Sequence, residues 1–396
     1  MKKKRLIYYE ISKYLRHKNA LVITGLRQVG KTTLLRQIFE DLGSVPKLWF
    51  DFENPLEQRV FEERDYRNIF EKLASDAGSR AQPPVVFIDE IQNFPPVTKV
   101  IKYLLDHYGV KFIVTGSSSY YLRNLFPESL SGRKFLFELP PFSFREYLYF
   151  KDKLEPETAR KRSLNDCLKS KNLMDFERRR LAYEDFLRFG GFPGVVTAKH
   201  IREKQLALKN ILTSFFEKDI KLLSDYKDIR ELRDLILLLV PRVGSQLEIS
   251  KLASELGVDR PKIYSYLEFL QGTFFIRLLP KYSKSIDRSV AGGRKIYFAD
   301  TGLLNTLGPV NEAQLFENAA VNQLADYGSL QFYNLRNTAE IDAIVDKKTA
   351  FEIKLTGTLA DVKRVRKLAR KLNLKQASVL SKNFKDIPGV SYPMFL

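Results

Sequence analysis

The octet Gly25, Leu26, Arg27, Gln28, Val29, Gly30, Lys31, Thr32 is the feature that leaves this chain least freedom. It follows the apolar run ALVIT and precedes TLLRQIFEDLG, an amphipathic stretch that stops on a glycine. Strand, glycine loop and helix in that order dictate a βα unit. The loop's backbone N–H groups curl toward one point, and the helix N-terminus adds its partial positive charge behind them. Such a loop takes phosphate. Lys31 is expected to reach the β- and γ-phosphates and the Thr32 hydroxyl to join a Mg²⁺ shell, with Gly25 to Thr33 as the nucleotide-contacting stretch. ATP and Mg²⁺ are the expected ligands.

Two further strand ends supply partners for the loop. VVFIDE delivers Asp89 and Glu90 at the carboxyl end of an apolar strand, the side of a parallel sheet where ligands sit. Asp89 is expected to hold Mg²⁺, directly or through water, and Glu90 to polarise the attacking water. FIVTGSSS ends in hydroxyls, and of Thr115, Ser117 and Ser118 the choice for sensing phosphate or orienting water is Ser117. Turn-forming serines after a strand are the bland alternative. Arg133, in SLSGRKF, is a candidate positive charge for the transition state, in cis or from a neighbouring subunit; a surface arginine is the alternative.

At 396 residues the chain is too long for one ordinary core. The strand-like runs LWFDF, VVFIDE, KFIVTGS and KFLFEL alternate with helical patterns, giving a phosphate-loop α/β core with a parallel sheet over 1–148. Residues 149–225 read as a helical lid interrupted by the turn FGGFPG. Residues 226–310 read as a winged helix-turn-helix with RSVAGGRKIYFAD as its wing. Residues 311–396 read as a further α/β domain. The formal net charge of +19 points to a polyanionic partner, nucleic acid foremost and DNA before RNA. A single cysteine, Cys167, excludes internal disulfides, and with only His17, His107 and His200 beside it a zinc site is not expected. MKKKRLIYYEISKYL lacks the apolar stretch of a signal peptide. The longest apolar run, Leu235 to Val240, is far short of the ~20 residues a membrane span needs, so the chain reads as cytoplasmic and without a membrane partner.

The C-terminal domain carries a second constellation. On FEIK, period-two alternation puts Glu352 and Lys354 on one face; Asp342 lies on the preceding strand and Glu317 on the helix before it. If the strands pair, these four converge. Glu317, Asp342 and Glu352 are then candidate Mg²⁺ ligands, with Asp342, Glu352 and Lys354 as candidate catalytic groups for attack on phosphate. The bland reading is a solvated sheet face with Glu/Lys pairing. The helix from Val362 to Lys371 is basic and becomes a phosphate-contacting surface only if it flanks that cluster. Arg260, Lys262 and Tyr264, at the start of the second helix of the helix-turn-helix, are a further candidate DNA surface.

Taken together, GLRQVGKT, VFIDEIQ, VTGSSS, LSGRKF, LPPFSFREY and FGGFPG resemble the AAA-plus ATPases of a prokaryotic family in which an ATPase core precedes a domain of unknown function. The resemblance implies an ATPase with lid and winged-helix parts, and supports Ser117 as sensor and Arg133 as finger. No arginine in the lid matches a second sensor. The order Glu317, Asp342, then Glu352-x-Lys354 resembles the PD-(D/E)XK nuclease-like domains that family often carries. Two functions compete: an ATPase coupled to nucleic-acid binding or processing, and an ATP-dependent switch whose non-cleaving C-terminal domain binds a protein or DNA. A homo-oligomer or a partner protein fits either.

Overall fold

A computed structural model describes residues 3–79, 82–116, 132–160, 163–169, 172–220, 226–283, 285, 292–335 and 339–396. The chain divides into two compact units, Met1–Pro140 with Gly272–Phe274, and Pro141–Gln271 with Phe275–Leu396.

The first unit follows the alternation of its apolar runs. Strands β1 (Ala20–Thr24), β2 (Lys47–Asp51), β3 (Val85–Asp89), β4 (Lys111–Gly116) and β5 (Lys134–Glu138) form one sheet in the order β2-β3-β4-β1-β5, all neighbours parallel. Helices α1 (Lys31–Asp41), α2 (Tyr66–Asp76) and α3 (Val97–Tyr108) lie in the connections between the strands. A parallel strand covered on both faces needs apolar residues at every position, and β1 is buried throughout. Val22, Val86, Ile88, Phe112 and Val114 meet Ile69, Leu73, Val100, Ile101 and Leu104 in one core. With the phosphate loop leaving the carboxyl end of β1, the acidic end of β3 opens beside it.

The second unit opens with α4 (Phe144–Phe150), α5 (Leu173–Phe189) and α6 (Ile201–Ser214). Three helices follow, α7 (Tyr226–Leu239), α8 (Ile249–Leu256) and α9 (Arg260–Gly272), leading into an antiparallel pair, β6 (Ile276–Pro280) and β7 (Arg294–Phe298). Residues 288–291 of the expected wing lie outside the described residues. Next come α10 (Thr301–Leu307), α11 (Glu312–Leu324), β8 (Leu330–Leu335), β9 (Ala339–Val345), β10 (Thr349–Lys354), α12 (Leu359–Lys371), β11 (Gln376–Ser381) and β12 (Val390–Ser391). These strands make a mixed sheet in the order β12-β11-β10-β9-β8, in which β10 runs parallel to β11 and antiparallel to β9. The helix between β10 and β11 is the crossover that a parallel pair requires.

Apart from Gly272–Phe274, the three segments after residue 148 fall within one compact unit, which begins eight residues earlier. The Phe142 N–H donates to the Gly191 carbonyl at 2.7 Å, joining PFSF to FGGFPG. The buried Asp300 carboxylate accepts from the N–H groups of Gly191 at 2.7 Å and Leu303 at 3.0 Å, so it caps α10 and seats the glycine turn with one side chain. A Cβ at Gly190 would lie 2.1 Å from that carboxylate, which leaves room only for glycine. Lys281 bridges to Phe332, linking the segment after β6 to the mixed sheet.

Candidate nucleotide site and C-terminal acidic cluster

The loop between β1 and α1 is shaped by its contacts. A Cβ on Gly25 would stand 2.2 Å from the Leu139 carbonyl oxygen, so only glycine lets the loop lie against the end of β5. Gly30, at φ 93, turns the chain into α1, and Gln28 adopts a left-handed φ of 62. Leu26 and Val29 bury their side chains and anchor the loop, whereas Gln28 and Thr33 are exposed and Arg27 is half-buried. Arg5 was not singled out by the sequence, yet its buried guanidinium donates to the Val29 carbonyl at 2.7 Å and the Pro140 carbonyl at 2.8 Å. Holding the Val29 carbonyl outward leaves the peptide N–H groups of the loop to face the other way. Lys31 is buried, its ammonium donating to the carbonyls of Gly25 at 3.0 Å and Leu26 at 2.9 Å.

Downstream of the loop, Asp89 ends β3 and accepts from the Thr115 hydroxyl, and the Thr32 hydroxyl lies close enough to favour its charged form. Burial pushes the Asp89 carboxyl above its ordinary range; the two hydroxyls pull it back, and the negative charges of Glu90 and Asp51 push it up again. Asp51 stands opposite Asp89 in the register of β2 and β3, an acidic neighbour the sequence reading passed over. Glu90 sits at φ 55, ψ 49, a left-handed conformation that is costly for a residue with a Cβ, and its carboxylate accepts from the Gln92 amide. Its N–H donates to the Thr115 hydroxyl oxygen at 3.1 Å. Thr115 is therefore the joint between the two acidic residues.

A hydroxyl and carboxylates gathered beside a phosphate-shaped loop are the hard oxygen donors that Mg²⁺ prefers, and the mutual repulsion of Asp51, Asp89 and Glu90 is what a cation relieves. The residues fit the cation. Ser117, the chosen sensor, and Ser118 lie outside the described residues. Arg133 is not brought to this site. It precedes β5 at the level of Ala20, the amino end of β1, whereas the loop leaves the carboxyl end, and its guanidinium pairs with Asp106 at 2.7 Å. Within one chain a full strand separates it from the phosphates.

In the second unit the β9–β10 register sets Phe351 opposite Ala343, and so Glu352 beside Asp342. Lys354 reaches Glu352 at 3.0 Å, and Arg364 of α12 reaches it at 2.6 Å. The basic helix thus flanks the acidic cluster, with Lys363, Arg366, Lys367, Arg370 and Lys371 exposed. Asp342 accepts from the Ile353 N–H at 2.8 Å. Burial and then the neighbouring Asp342 charge raise the Glu352 carboxyl above its usual range, against Lys354 and Arg364.

Two of the three expected metal ligands of this domain, Glu317 and Asp342, stand beside a lysine. Glu317, Asp342 and the exposed-edge Glu340 converge on the ammonium of Lys295, at 3.7, 3.5 and 2.6 Å. Among the described residues no group of three or more His, Cys, Asp and Glu side chains is arranged to hold a metal ion. Glu317 also accepts from the Tyr297 hydroxyl at 2.7 Å. Burial first, then Asp342, raises Glu317 to about 7, with Lys295 opposing. A lysine on β7, some 50 residues from the motif, was invisible to a reading of strand alternation.

On α9 the candidate DNA residues divide. Arg260 and Tyr264 are exposed, but the Lys262 ammonium lies 2.7 Å from Asp228 and 2.7 Å from Glu231. These two hydrogen bonds hold it above the usual lysine range, and its charge is spent within the unit.

Residues 17–148 match the family model described as AAA domain, and residues 180–314 match one described as Domain of unknown function (DUF8612). An uncharacterized protein of Methanocaldococcus jannaschii is 27% identical, the alignment covering 97% of this chain and 86% of that one. Another, of Haemophilus influenzae, is 28% identical over 84% of this chain and 82% of its own. Among solved structures, the Walker-type ATPase PABY2304 of Pyrococcus abyssi superposes with a TM-score of 0.50 at 16% identity, covering 78% of this chain and 96% of that one. Sheet order and loop give the first unit the fold of a phosphate-loop α/β domain, and nearly all of it is similar to the AAA-domain model. No helix among the described residues is long and apolar enough to cross a membrane.

Proposed function

We propose that this protein is a Mg²⁺-dependent ATPase whose turnover drives a nucleic-acid-binding second unit. The observation that carries the first half is the meeting of Thr32 and Asp89: 57 positions separate them in sequence, and the Thr32 hydroxyl lies close enough at the mouth of the phosphate loop to favour the charged form of the Asp89 carboxyl. The loop N–H groups and Lys31 bind the phosphates, and Thr32 and Asp89 would hold Mg²⁺. Bound there, the ion neutralises charge on the β- and γ-phosphates. Glu90, at the end of β3, orients and polarises the attacking water, and Thr115 fixes its backbone. Arg133 acts on a neighbouring subunit's nucleotide, since the loop of its own chain is a strand away.

The second half rests on charge. The chain carries +19, and α12 exposes five cations beside the acidic cluster. Arg260 and Tyr264 on α9 offer a second surface in what we read as a winged helix. The mixed sheet, with a helix before β8 and a crossover helix after β10, supports the nuclease-like reading of its fold. Lys295 among the carboxylates favours binding without cleavage.

ATP turnover is tested by Lys31→Ala and Glu90→Gln in a phosphate-release assay with a nucleotide-binding titration alongside. Lys31→Ala should lose binding; Glu90→Gln should keep ATP bound while turnover falls ~10²-fold or more. Hydrolysis undiminished in both would overturn the assignment.

A further inference from the structure

The acidic cluster of the mixed sheet is built around an internal cation. Lys295 is 3% exposed, and its ammonium is the common neighbour of Glu340, Asp342 and Glu317. Its position is fixed from both sides: β7 pairs Lys295 with Leu279 of β6, and Tyr297, two residues on and on the same strand face, donates to Glu317. Three carboxylates brought this close repel one another unless something positive stands between them. Burial alone works against the lysine's charge, yet Asp342, Glu317 and Glu340 overcome it and hold the ammonium above its usual range.

We infer that Lys295 occupies the place a divalent metal would take, so that the C-terminal sheet is a metal-free binding module rather than a metal-dependent nuclease. This rests on the nuclease-like reading of that sheet and inverts its chemistry. The charges of Glu317 and Asp342 are balanced by a tethered ammonium 3.7 and 3.5 Å away, and an incoming ion would have to expel a buried side chain. Replacing the ammonium by a neutral chain of similar length leaves the same oxygens around an empty position with their charge uncompensated, a site for a cation of higher charge. The β6–β7 pair is thereby the counter-charge of the acidic cluster.

The test counts Mn²⁺ bound by the full chain, by electron paramagnetic resonance of free Mn²⁺, in an Asp89→Asn background that removes the ATP-site ligand. With Lys295 present no Mn²⁺ should bind in the range of ~0.1 mM, the affinity of weak carboxylate sites, and Asp342→Asn should change nothing. Lys295→Met should gain one equivalent, lost again on adding Asp342→Asn. One equivalent bound in the presence of Lys295 and abolished by Asp342→Asn would overturn the inference, and that arm stands even where Lys295→Met does not fold. A folded Lys295→Met chain, judged by its thermal transition, that gains no Mn²⁺ would also overturn it. Failure of the nuclease-like reading would appear separately, as loss of the paired β9–β10 register in an experimental structure, since the count uses neither DNA nor cleavage.

Discussion

Thr115 shows how much one buried hydroxyl can organise. It donates to Asp89 and accepts from the Glu90 N–H at 3.1 Å, so the proposed cation ligand and the proposed water-polarising residue share one support. Thr115→Val, which keeps the shape and removes both bonds, should lower kcat by ~10- to 100-fold with little change in ATP affinity. Thr115→Ser should restore most of the rate. A steady-state comparison of the three checks this, and a Valine variant at full rate would reduce Thr115 to packing. The octet, Asp89 and Glu90 were legible because their chemistry is written at fixed short spacing between recognisable elements. Thr115 was legible only as one of three hydroxyls after a strand. Arg5 and Lys295 left no local mark, since each acts on residues far along the chain.

At the scale of elements, alternation made β10 readable. Phe351 and Ile353 are buried among apolar neighbours, and Glu352 and Lys354 share the other face. The same logic assigned Arg260, Lys262 and Tyr264 to one exposed helix start, but spacing along α9 does not reveal that α7 offers Asp228 and Glu231 to the middle of the three. An ammonium already between two carboxylates has little to give a phosphate. Arg260→Ala should therefore weaken binding of a short DNA duplex ~3- to 10-fold and lower the salt slope by about one, whereas Lys262→Ala should stay within about twofold. Fluorescence anisotropy across a salt series separates them, and equal losses from both would remove the distinction.

At the scale of the whole molecule, the sequence shows a phosphate-loop sheet followed by helices and a later sheet, but not that Pro141–Gln271 and Phe275–Leu396 form one unit. That unit turns on contacts such as Asp300 with Gly191, 109 residues apart. Burial lifts Asp300 to about 6, against the N–H groups of Gly191, Leu303 and Gly302. A carboxyl raised above its unfolded value of 3.8 stabilises the fold fully below that value, and the contribution is lost as pH rises through about 6. Urea denaturation of the second unit should lose on the order of 3 kcal/mol between pH 4 and pH 6.5 from this group. Asp300→Asn should flatten that fall while lowering stability at pH 4, because the amide cannot accept from both N–H groups. An unchanged pH profile in the variant would place the titration elsewhere.

The clamp from Arg5 onto the carbonyls of Val29 and Pro140 has a practical side. The first residues of a recombinant chain are routinely trimmed or fused to affinity tags, on the assumption that nothing there matters to a motif two dozen positions further on. Here Arg5 is a tether for the phosphate loop, and a trim or fusion that disturbs it is a choice about how well that loop is held.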